Sequence, residues 1–124
     1  MSAVLDRFAT EPPTCCAVCR RRAHEIGFGV LLPDMTAKVV HCCYDMACVR
    51  AVHRIAQMAD DKLDAHEKKA LVEAGHAGGD FLDRIGKTDL ATLNERQWTD
   101  FLGTVLRGFE ASMRRQMTEH EAPF

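Results

Sequence analysis

All six cysteines of this 124-residue chain fall between residues 15 and 48, in two groups. The first is Cys15-Cys16-Ala17-Val18-Cys19 and the second is His41-Cys42-Cys43-Tyr44-Asp45-Met46-Ala47-Cys48. A Cys-x-x-Cys pair lets two thiolates converge on one ion from a tight turn whose amides stabilise sulfur charge. A second pair, brought back by intervening chain, completes a tetrahedron. The spacing ranks Cys16, Cys19, Cys43 and Cys48 as the ligands of a structural Zn2+. Cys15 and Cys42 then remain as packed thiols. Several substitutions stay open. Cys15 would give an x3 knuckle, His41 or Cys42 could replace Cys43, and His53 lies one helical turn past Cys48. A site closed by four thiolates leaves no position for a substrate water, so the expected role of the metal is structural and the chain is expected not to be an enzyme.

Other chemistries lack their parts. Gly86-Lys87-Thr88 looks like the end of a phosphate-binding loop, but the required upstream glycine is Phe81. His66-Glu67 and His24-Glu25 each lack the second histidine of a metalloprotease helix, and no His-x-Glu precedes a cysteine pair as in zinc deaminases. The only serines are Ser2 and Ser112, neither in a nucleophile elbow.

Arg20-Arg21-Arg22 follows the first cysteine pair and is a candidate phosphate contact. No aromatic residues interleave with it, so a solvated turn is the plainer reading. Formal charge is -2 overall, which excludes a strongly basic nucleic-acid binder as a whole molecule. Residues 1–58 hold seven Lys/Arg against five acids and the remainder nine against thirteen, so any polyanion contact belongs to the first part. No apolar run approaches the ~18 residues of a membrane span, and Met1–Arg7 does not read as a secretory signal. The expected setting is therefore the reducing cytoplasm, where clustered cysteines bind metal rather than form disulfides.

The elements that must position the cysteines follow from local pattern. Residues 1–14 read as a lead segment and 15–60 as the zinc finger. Within the finger, Gly27–Leu32 and Lys38–Val40 form a hairpin around a Pro33-Asp34 turn. Val49, Val52, Ile55, Ala56 and Ala59 share one face of a helix after Cys48. Residues 61–117 read as a helical hairpin packed on the finger. Its first helix is expected to start at Asp64, with Glu67 as capping-box partner, and to stop at Gly86. Its second starts at Asn94, with Gln97 as partner and Leu93 and Trp98 as a staple. Gly75, Gly78 and Gly79 mark close helix packing or a bend, and Trp98 is expected to be buried between the helices. Residues 118–124 read as a flexible acidic tail. The fold class is thus α+β, mostly α.

The knuckle, the Gly27-Phe28-Gly29 strand start, and the His41-Cys42-Cys43…Cys48 entry into a helix resemble treble-clef fingers of the FCS/MYM type. The stretch Phe81–Leu93, followed by a Trp-bearing helix, is similar to a C-terminal segment of small uncharacterised phage and prophage proteins. These resemblances imply a treble-clef-like finger and a mobile-element origin in a bacterial host; a host or phage protein is the expected partner. They imply no defined biochemistry. The end, Glu119-His120-Glu121-Ala122-Pro123-Phe124, resembles the acidic Pro-Phe tails of bacterial single-stranded-DNA-binding proteins, which makes Pro123 and Phe124 candidate partner-binding residues. Binding of nucleic acid by the finger is the alternative to binding of protein.

Overall fold

The computed structural model describes residues 15–23, 27–32 and 34–123. The lead segment, Pro33 and Phe124 lie outside the described residues. The chain is mostly helical. Strands β1 (Gly27–Leu31) and β2 (Ala37–His41) pair antiparallel, with Gly27 opposite His41 and Leu31 opposite Ala37. Asp34 shapes the connection between them, its carboxylate accepting the Thr36 amide at 3.0 Å.

Helix α1 (Met46–Gln57) is capped by Asp45, which accepts the Ala47 amide at 2.9 Å. Its buried face is Cys48, Ala51, Val52, Ile55 and Ala56. The face is rotated from the expected one: Val49 is partly buried and Ala59 is exposed. The last ligand candidate, Cys48, turns the first turn inward and takes Ala51 with it.

Helix α2 (Asp60–Ile85) starts one turn before the expected Asp64. Asp64 and Glu67 lie inside it and form no capping box; the N-cap is Ala59, with no side-chain cap bond. Asp60-Asp61-Lys62 is polar, but polarity does not break a helix. Two acids in a first turn favour the N-terminal dipole, and buried Leu63 anchors the start. Gly86 ends the helix in the left-handed conformation at φ 70°, with the Lys87 amide reaching the Leu82 carbonyl at 3.1 Å. A 3-10 turn (Leu90–Thr92) leads to α3 (Glu95–Thr118). Both arms of the expected Asn94/Gln97 capping box form, at 2.8 and 3.0 Å.

Helices α2 and α3 make the hairpin. A Cβ on Gly78 would stand 2.8 Å from Val105 Cγ2, and one on Gly108 would stand 3.1 Å from the Ala74 backbone. Gly75 and Gly79 have open space, so only Gly78 of the three sequence-marked glycines is a packing point. Gly108→Val therefore destabilises by roughly 1–3 kcal/mol through overpacking against backbone. Gly75→Ala stabilises by roughly 0.5–1 kcal/mol through helix propensity alone. Urea denaturation of the two variants measures both signs.

Trp98 is not buried between the helices. It is 43% exposed and leans on Phe101, with ring centroids 5.9 Å apart. Two helices share one interface, and Phe81, Phe101 and Val105 occupy it, leaving the Trp98 face uncovered.

The segment after α3 is tied down rather than loose. The Glu121 amide reaches the Gln116 carbonyl at 3.0 Å, and its carboxylate takes Arg115 at 2.9 Å and Lys69 at 3.1 Å. Arg115 and Lys69 hold that carboxyl down to about 2. A depressed carboxyl contributes stability above its unfolded pKa and loses it as pH falls through its folded pKa. The tether is thus complete at neutral pH and weakens between about 4.5 and about 2. The protection factor of the residue-121 amide, which bonds the Gln116 carbonyl, should fall over that window, and Glu121→Gln should show the lower protection already at neutral pH.

Candidate metal centre

The knuckle that carries Cys16 and Cys19 is a tight turn. The Arg20 amide returns to the Cys16 carbonyl at 3.1 Å, the Val18 amide points at Cys16 Sγ at 3.3 Å, and Arg20 adopts φ 70°. The Ala17 amide bonds the His41 carbonyl at 3.0 Å, pinning the knuckle to the end of β2. Cys43 follows that strand end, and Cys48 sits in the first turn of α1. These three elements bring the Sγ atoms of Cys16, Cys19, Cys43 and Cys48 within 4.8 Å of one another. These are the four the spacing ranks first.

The donor set fits a tetrahedral zinc ion. Bonds of ~2.3 Å place sulfurs about 3.8 Å apart, and Cys19 and Cys43 stand 3.8 Å apart. Cys42 is also close, its Sγ 3.8 Å from Cys16 Sγ. Cys15 is half-buried and His53 exposed, and neither joins the cluster. His41 Nδ1 is buried without a hydrogen-bond partner among the described residues.

Protonation shows how the thiols share charge. Hydrogen bonds with Cys19 and Cys48 hold Cys16 far below the usual thiol range. The same bond to Cys16 pushes Cys19 up to about 11. Hydrogen bonds with Cys16 and Cys19 push Cys48 up, while burial, then the Cys16 charge, pushes Cys42 up. Converging thiols alone keep about one negative charge; a divalent cation lets all four ionise.

The arginines divide sharply. Arg20 donates to the Ala17 carbonyl at 3.0 Å and pairs with Glu67 of α2, so its charge is spent inside the fold. Arg54 donates to the carbonyls of Gln116 and Met117 at 2.6 and 3.2 Å, satisfying the end of α3. Arg21 and Arg22 are exposed, and both line a cleft with Cys43, Tyr44, Asp45 and Arg114.

Arg114 is the functional residue that sequence reasoning misses. Its place on α3 reads as a solvated face, yet Nε donates to Cys48 Sγ at 3.2 Å and lies 3.6 Å from Asp45. Burial is the largest single influence and opposes its charge, but the bond to Cys48 together with the charges of Cys48, Cys19 and Asp45 outweighs it and raises the guanidinium pKa. No motif marks such a contact, because it joins residues 66 positions apart. A donor to a ligand sulfur offsets thiolate charge and orients the ligand. Arg114→Ala should therefore weaken zinc binding roughly 10–100-fold in a chelator competition, with helix content unchanged.

No curated protein and no solved structure matches this chain. A family model does match, over residues 58–124, more than half the chain. That span holds Arg114 and the hairpin, and it begins after the last cysteine. By this match the chain belongs to a family of unknown function, DUF6511.

Proposed function

We propose that the chain is a zinc-stabilised, non-enzymatic binding module. In this reading the finger is a treble clef of the FCS/MYM type, and the protein is an adaptor or inhibitor of a host or phage protein. A mobile-element origin and a role in DNA metabolism or host takeover belong to the same proposal. The carrying observation is the buried four-thiol cluster, closed on one side by Arg114. Such a site holds structure together and offers no coordination position for a substrate. The order knuckle, hairpin, then ligand in the first helical turn supports the treble-clef assignment. The finger also exposes Tyr44 and Met46, and Tyr44 lines a cleft with Arg21 and Arg22, an apolar surface with a basic edge of the kind that docks protein. The test is capture of a partner from host lysate by the zinc-loaded protein. Loss of one specific partner with Met46→Glu supports the reading; identical capture by both proteins rejects it.

The cleft that holds Arg21, Arg22 and Arg114 beside Tyr44 favours nucleic acid as a second reading. Binding of single-stranded DNA that weakens steeply with salt, and is lost with Arg22→Ala, would select it.

A further inference from the structure

The centre holds one thiol more than a tetrahedral ion needs. Cys42 stands 3.8 Å from Cys16, sulfur to sulfur, and is 2% exposed. Cys19 and Cys43 stand at the same 3.8 Å. Both contacts cross between the same two segments, the knuckle and the end of β2. Between those segments the Ala17 amide bonds the His41 carbonyl, joining the peptide unit after Cys16 to the one before Cys42. The stretches of backbone that carry the facing thiols are therefore held side by side. A disulfide brings its sulfurs to about 2.0 Å, so each pair needs a short approach and no refolding. Cys48 is placed differently: it stands on α1, and Arg114 Nε donates to its sulfur at 3.2 Å.

We propose that the centre is an oxidation-sensitive staple, in which hydrogen peroxide converts Cys19–Cys43 and Cys16–Cys42 into disulfides that take the place of zinc. The proposal rests on the zinc reading of the site. The oxidant enters at Cys43. At 9% it is the most exposed of the five thiols, and it lines the open cleft beside Tyr44 and Arg22. Metal binding holds its sulfur as the thiolate, which is the nucleophilic form. The Cys43 sulfur attacks one peroxide oxygen, the O–O bond breaks, and a sulfenic acid and a hydroxide form. The Cys19 thiolate then attacks the sulfenic sulfur and expels its oxygen as a second hydroxide. Two electrons pass from the two sulfurs to peroxide, and solvent protons turn both hydroxides into water. The site then keeps two ligand thiolates, too few to hold the ion. Cys16 and Cys42 repeat the sequence with a second peroxide. Two cross-links now join the knuckle to β2 where the ion did, and thiol reductants reverse them.

The test starts from the zinc-loaded full chain. Metal content before oxidation keeps failure of the zinc reading apart from failure of this one. Peroxide should release the whole equivalent of zinc to a chromogenic chelator. Non-reducing digestion and mass spectrometry should find two links between the peptide of Cys16 and Cys19 and that of Cys42 and Cys43, with Cys15 and Cys48 still open to alkylation. Because Cys42 and Cys43 are adjacent, Cys42→Ser assigns the pairs: after peroxide it should keep the Cys19–Cys43 link and leave Cys16 open to alkylation. The oxidised wild type should hold its circular dichroism spectrum in excess chelator, and lose part of it when dithiothreitol is added. Zinc retained under peroxide that oxidises the zinc-free chain overturns the proposal. A link that joins Cys16 to Cys19, or one that includes Cys48, overturns it as well.

Discussion

The purified protein should carry one zinc ion per chain, and removing it should unfold the finger and α1 while α2 and α3 keep much of their helix. The reason is that the finger is built on a two-stranded ribbon and a knuckle gathered at the cysteines. Among the residues whose burial is described, those buried in the knuckle and strands besides thiols are Ala17, Val18, Ala23 and Val40. Leu31 and Val39 are more than half exposed. An isolated two-stranded ribbon is marginally stable at best. Zinc on four thiolates supplies about 10–16 kcal/mol at neutral pH, comparable to or larger than the whole stability of an ordinary domain. Cys16→Ser, Cys19→Ser, Cys43→Ser and Cys48→Ser should each lose the metal. Cys15→Ser and Cys42→Ser should keep near one equivalent. The contrast between Cys42 and Cys43 is the sharpest check, because the two are adjacent and both near Cys16 or Cys19. A folded, reduced sample with well under one equivalent would refute this assignment. So would a Cys43→Ser protein that keeps its zinc while Cys42→Ser loses it.

What the sequence makes legible is what depends on short-range chemistry. The Asn94/Gln97 box forms because a three-residue spacing alone lets side chains and amides reach each other. Gly86 ends α2 because glycine accepts φ 70° at little cost. The cysteine spacing points to the same four thiols that the fold gathers, because a knuckle is local. Where outcomes turn on long-range packing, sequence reasoning fails in a consistent way. It reads Asp60–Leu63 as a break because the patch is polar, though burial of Leu63 decides the matter. It reads Trp98 as core because tryptophan is large and apolar, though among the described residues no third element covers that end of the hairpin. It reads Arg20 and Arg114 as surface charge, though each is drawn into a partner 47 or more residues away.

The same blindness hides a buried polar cluster, which carries the second large expected effect. Gln116, Ser112 and His66 are each at most 2% exposed, at the end of the hairpin next to α1. The Gln116 amide nitrogen donates to the His66 carbonyl and to Ser112 Oγ, both at 3.0 Å. That fixes the amide orientation, so its Oε1 must accept from His66 Nδ1, 2.6 Å away. His66 is thereby held as the tautomer protonated on Nδ1. Gln116→Leu removes the acceptor and leaves a buried N–H unpaired, costing roughly 2–4 kcal/mol when the lost bonds and misfit are counted together. His66→Leu alone should cost a similar amount, by stranding the Gln116 carbonyl oxygen. The double variant should cost clearly less than the two singles added, because neither half of the His66–Gln116 bond is then left buried alone. Urea denaturation of the four proteins of the cycle, each with zinc bound, gives the coupling directly. Costs that simply add would mean that His66 and Gln116 do not depend on each other, and the buried pair would lose its place in the account of what holds the hairpin together.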